Sequence, residues 1–137
     1  MTRWLLVLAG IYGFCGVALG AFGAHALKSR LPEERLANLE LAVRYLFFSI
    51  PGLLAAAWLA SQCISTSIPT TIGGYAFALG VLLFSGSLVA LALTGNRRWG
   101  AVTPLGGVAL MIGWVALALA GLNVVTIGDF HGLLVAC

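Results

Sequence analysis

The residues of this chain that could do chemistry are few: two histidines, three cysteines, four acids, and the hydroxyls of Ser85, Ser87 and Thr103. Catalysis needs a nucleophile beside a base, a pair of carboxylates or a metal cluster within reach. His25 and His131 stand far apart in the chain, and Cys15, Cys63 and Cys137 form neither a C-x-x-C nor a Cys/His spacing. No G-x-x-x-x-G-K, H-E-x-x-H or dinucleotide fingerprint occurs. The expectation is therefore no catalytic, metal or cofactor site, with His25 as the one interfacial polar candidate. Cys15 reads as a small apolar residue inside a helix. A Cys63–Cys137 disulfide is conceivable, since both fall on one side of the membrane in the topology below. Ser85 and Ser87 flank Gly86 in the middle of an apolar run. Serines so placed hydrogen-bond to the preceding turn or to a neighbouring helix.

The elements that must position these groups are hydrophobic. Of the 137 residues, 61% are hydrophobic and 8% charged, with a mean hydropathy of +1.08, against roughly 25% charged in a soluble domain. So few charges cannot cover a water-soluble surface, so the solvent is lipid. The net charge of +3 lacks any basic cluster longer than Arg97-Arg98, which argues for topology signals and against nucleic-acid binding.

The spacing predicts an all-α integral membrane four-helix bundle in a single domain, with spans over 4–24, 45–63, 72–94 and 101–122. A short amphipathic helix over 31–44 links the first two spans, and 123–137 forms a tail lying on the membrane. The first run carries Gly10, Gly13, Gly16, Gly20 and Gly23, which fall within an arc of about 140° on a helix. Such a smooth face lets another helix backbone approach closely. Gly106, Gly107 and Gly113 give a second smooth face on the fourth helix. Arg3, the apolar run and Ala24-His25-Ala26 also have the outline of a signal peptide. The run is long for one, and retention as a membrane helix is expected. Pro51 is expected to kink helix two, Ser65–Thr71 to form a loop, and Gly95–Gly100 to form a tight basic turn.

Four spans place Arg3 on one side, and Lys28, Arg30, Arg35, Arg44, Arg97 and Arg98 on the other. The positive-inside rule then predicts both termini outside, with 25–44 and 95–100 in the cytoplasm. The spans hold no Asp, Glu, Lys or Arg, so no intramembrane ion pair of the kind used by ion carriers is expected.

Leu19-Gly-Ala-Phe-Gly-Ala-His-Ala-Leu-Lys28, Leu83-Phe-Ser-Gly-Ser-Leu88, Thr103-Pro-Leu-Gly-Gly107 and Ile112-Gly-Trp114 occur in this order. Together they resemble the domain-of-unknown-function membrane family that includes bacterial inner-membrane protein YgdD and animal transmembrane protein 256. The likeness covers about residues 4–122 and implies a small four-helix protein of the cell inner membrane without an assigned activity. Members tend to carry a Tyr-Gln and a nearby His where this chain has Tyr45-Leu-Phe-Phe-Ser49. The expected function is a non-enzymatic structural or accessory subunit. Its partners are membrane lipid and a membrane-protein complex or further copies of itself, packed through the glycine faces and the Ser85-Gly86-Ser87 segment. Two alternatives are a small-solute transporter or channel with Ser85, Ser87 and Thr103 on its path, and lipid binding through the basic linker.

Overall fold

A computed structural model describes residues 1–61 and 68–126, with the backbone alone for 123–126. The described residues form four helices, α1 Thr2–Phe22, α2 Glu33–Ser61, α3 Ile68–Thr94 and α4 Thr103–Thr126. All four are long and apolar enough to cross a membrane. The suggested Cys63–Cys137 bond, residues 65–67 of the expected loop, and the tail from 127 onward lie outside the described residues, whereas residues 68–71 of that loop are the first turn of α3 and residues 123–126 of the expected tail continue α4.

Local chemistry explains the helix ends. The Pro32 carbonyl accepts the first bonds of α2 from the Arg35 and Leu36 N–H groups at 3.0 Å each. Glu33 and Glu34 occupy the first turn, where the helix dipole favours acids. Pro69 and Pro104 sit in the first turns of α3 and α4, where the missing N–H costs nothing. At the end of α3, Gly95 turns to φ +71° and its N–H bonds the Leu91 carbonyl at 2.8 Å. A side chain would be strained in that left-handed cap.

Other expected boundaries change as well. The 31–44 stretch is helical from Glu33 onward, but it is the first part of α2, which runs unbroken through Pro51 to Ser61. Its charges mark the part of one long helix near the membrane edge. The first helix does not stop at Ala24. It passes into a π-helical turn over Gly23–Leu27 that contains His25. The basic turn is a 3-10 helix, Arg97–Ala101, capped by the Asn96 side chain, which accepts from the Arg98 N–H at 3.1 Å.

The helices pack in series, α1 on α2, α2 on α3 and α3 on α4. Among the described residues, α1 and α4 bring no pair of Cα atoms within 8 Å. The core lies along the α2–α3 seam, where Leu53, Ala56, Ala57, Phe77 and Val81 are buried with Leu5 and Ala9 of α1 and Leu110 of α4. Phe77 is its centre, 0% exposed, with its ring 5.0 Å from Trp114 at a near-perpendicular 87°. A methyl added at Gly52 of α2 would lie 2.5 Å from that ring, and one at Gly113 of α4 would lie 3.1 Å away. Glycine on both flanking helices therefore makes the slot for the ring. At Gly106 the α3 backbone itself comes close, so an added methyl would lie 2.6 Å from Phe84 Cα.

These contacts also fix depth. Gly20 meets Val43, Ser85 bonds Ala42, and Gly106 meets Phe84. At about 1.5 Å per residue, a layer spanning 4–24 of α1 covers roughly 40–60 of α2, 70–90 of α3 and 101–121 of α4. Arg44 then lies about one turn inside the layer edge. The long arginine stem lets its head reach the edge.

Gly106→Ala should destabilise the protein by about 1–3 kcal/mol through overpacking. Gly86→Ala, which meets nothing within 4 Å, should stay within about 0.5 kcal/mol of wild type. Unfolding by sodium dodecyl sulfate from mild detergent micelles, followed by circular dichroism, measures both.

Candidate functional site

The glycine face of α1 is covered from within the chain. Gly13, Gly16, Gly20 and Gly23 oppose Ile50, Phe47, Val43 and Leu39 of α2, at distances of 3.6, 3.1, 3.6 and 3.1 Å for an added methyl. The ridge of branched and aromatic side chains on α2 fills the groove those glycines leave. Gly10 and Gly86 are exposed and meet nothing within 4 Å. Gly107 meets the Phe84 ring at 3.6 Å. The sequence candidates thus divide into an internal set (Gly13, Gly16, Gly20, Gly23, Gly106, Gly107 and Gly113) and two open positions.

The hydroxyls form internal bonds. Ser85 Oγ, on a residue 2% exposed, donates to the Ala42 carbonyl of α2 at 3.0 Å. Ser87 is 3% exposed and sits 2.8 Å from Thr103 Oγ1 of α4, and it also donates to the Phe84 carbonyl at 3.0 Å. Tyr12 of α1 donates to the Ala78 carbonyl of α3 at 2.7 Å, and Ser49 to Tyr45 one turn back at 2.7 Å. Ser85, Ser87 and Tyr12 therefore tie α3 to all three other helices. No buried side-chain N or O lacks a partner among the described residues.

At the basic end, Arg35 of α2 reaches over the end of α3. Its Nε donates to the Ala92 carbonyl at 2.6 Å and its Nη2 to the Leu93 carbonyl. These carbonyls belong to the last turn of α3, which has no helical donor for them. The planar fork satisfies two at once, and its charge suits the negative end of the helix. His25 is exposed in the π-helical turn beside Phe22 and Ala26. No group of three or more His, Cys, Asp or Glu that could hold a metal occurs among the described residues.

Between α2 and α4 lies an open apolar groove of about 790 Å³, walled by Tyr45, Ser49 and Pro51 on one side and Pro104, Met111 and Trp114 on the other. Phe84 of α3 lines it as well, its ring 4.4 Å from that of Tyr45.

Sequence reading overlooked Gly52, Gly73, Gly74 and Gly80, all buried at helix contacts. Gly80 and Gly73 lie seven residues apart, two helical turns, and this spacing was available as a signal. It did not single out Tyr12 or the cap made by Arg35, since both depend on a partner more than fifty residues away.

Comparison with known sequences gives one family profile, described as a protein of unknown function (DUF423), which matches residues 19–107. The chain is 39% identical over 118 residues to UPF0382 membrane protein YwdK of Bacillus subtilis (strain 168), covering 86% of this chain and 95% of the relative. It is 36% identical over 130 residues to UPF0382 inner membrane protein YgdD of Escherichia coli (strain K12), covering 95% and 98%. A Staphylococcus epidermidis UPF0382 membrane protein matches at 38% over 118 residues, covering 86% and 94%. No solved structure matches.

Arg35→Met should cost about 1.5–3 kcal/mol, the range for hydrogen bonds to a charged group. Arg35→Lys should recover only part of that loss, because an ammonium lacks the planar fork. Detergent-unfolding curves for the two variants and wild type measure the difference.

Proposed function

We propose, from the premise that this chain belongs to the DUF423 family of membrane proteins, that it serves as a non-enzymatic structural or accessory subunit. The observation that carries the reading is how the polar groups within the lipid layer are used. Tyr12, Ser49, Ser85, Ser87 and Thr103 all hydrogen-bond inside the fold. A transport path needs such groups facing water, and Ser85 and Ser87 are buried at helix contacts. What the molecule offers its surroundings within the layer is an apolar surface, in which Gly10 and Gly86 leave dents for a neighbouring helix.

A photocrosslinking amino acid at Gly10 or Gly86, activated in intact cells, should give discrete adducts of protein size. Adducts with lipid alone at both positions would refute the accessory reading. Gly16→Leu is unsuited to this test, since the side chain would collide with Phe47 and report on the fold instead.

The proposed location is the inner membrane, the location carried in the name of the E. coli relative. Six of the seven Lys/Arg side chains gather at one end of the helices. That end is assigned to the cytoplasm and both termini to the outside. Alkaline phosphatase fused after Arg97 should be inactive and a fusion after Ser61 active. The reverse pattern would invert the topology.

A further inference from the structure

The groove between α2 and α4 is one leaflet deep. It runs along α4 from Pro104, about one turn inside the layer edge, to Trp114. Those ten residues span about 15 Å, half of a hydrocarbon core of about 30 Å. Its deepest lining residue on α4 is Trp114, whose ring stands near-perpendicular to the buried Phe77 ring. A helix from another chain crossing the whole layer would find a seat for only half its length. A single acyl chain entering from the membrane edge matches both the depth and the lining, and 790 Å³ lies within the range of about 300–1,000 Å³ usual for small-molecule sites.

The turn that precedes the α4 wall of the groove carries two cations. Arg97 and Arg98 are exposed in the 3-10 turn immediately before Thr103 and Pro104. The acids of the chain are Glu33, Glu34, Glu40 and Asp129, and Glu40 faces the opposite side of α2, toward Gly20 and Gly23 of α1. Lys and Arg at this depth attract anionic headgroups, and Trp99 beside them suits the interface.

We propose that this groove binds one anionic phospholipid of the leaflet on the basic side, with an acyl chain between Tyr45 and Met111 and its headgroup phosphate against Arg97 and Arg98. The site is independent of the accessory role, since it needs no protein partner. Gly107, half-buried on the groove wall, leaves room that a larger side chain would take.

The test uses the full chain with Trp4, Trp58 and Trp99 changed to Phe, leaving Trp114 as the reporter. It is reconstituted in phosphatidylcholine vesicles containing a small fraction of chain-brominated phosphatidylglycerol or chain-brominated phosphatidylcholine, and fluorescence quenching is read. Brominated phosphatidylglycerol should quench Trp114 at about fivefold lower mole fraction or better, the ratio expected from one arginine at the surface. The exposed pair Arg97→Gln and Arg98→Gln should abolish the preference without altering helicity, and Gly107→Leu should weaken quenching by both lipids. Equal quenching by the two lipids in the parent protein would overturn the proposal, as would a preference that survives the glutamine pair. A disulfide-linked dimer formed through Met111→Cys in dilute vesicles would also overturn it, because a second copy would then occupy the groove.

Discussion

The ring of Phe77 and the two glycines that admit it set the geometry of the whole assembly. Inside lipid, burying an apolar side chain gains little over leaving it in the acyl chains, so helices associate through close packing and a few hydrogen bonds. A phenyl ring in the middle of α3 would hold its neighbours apart. Gly52 and Gly113 instead let α2 and α4 close around it from two sides. Once that slot is fixed, the other contacts are fixed in register. Gly80 receives Leu110, Gly106 receives the backbone at Phe84, and Ser87 comes level with Thr103.

Polar contacts then lock what packing aligns. In the layer they are short bonds from a hydroxyl to a carbonyl or to another hydroxyl on a packed helix, each worth about 1 kcal/mol or less. At the basic end the lock is a pair of charge-assisted hydrogen bonds, with Arg35 clasping the last turn of α3. The same end holds the Gly95 cap and the Asn96-capped 3-10 turn. The apolar groove begins beside it, where α2 and α4 diverge around Tyr45 and Phe84.

Much of this was legible in the residues themselves. The four spans follow from hydropathy, and the family from the ordered glycine and serine motifs. The stripe on α1 was readable as a packing face, but not as one covered by α2. The complementary ridge of Leu39, Val43, Phe47 and Ile50 straddles the boundary drawn at Tyr45. That boundary came from charge: Glu40 and Arg44 placed 31–44 outside the membrane, whereas the backbone carries straight through them. A periodic pattern marks a face, and only the structure names its neighbour. Attention to Pro51 as a kink passed over Gly52 beside it, which is half of the Phe77 slot.

The serial packing has a consequence for how the protein is made. Every extensive interface joins helices adjacent in the chain, and the first and last helices have no closing contact among the described residues. Such local connectivity spares the chain the entropic cost of joining distant segments. Each helix can therefore dock on its predecessor as it leaves the ribosome, starting with the α1–α2 hairpin. Biogenesis becomes a stepwise zippering in which α3 arrives as the keystone, and α4 completes the assembly without any earlier contact having to open.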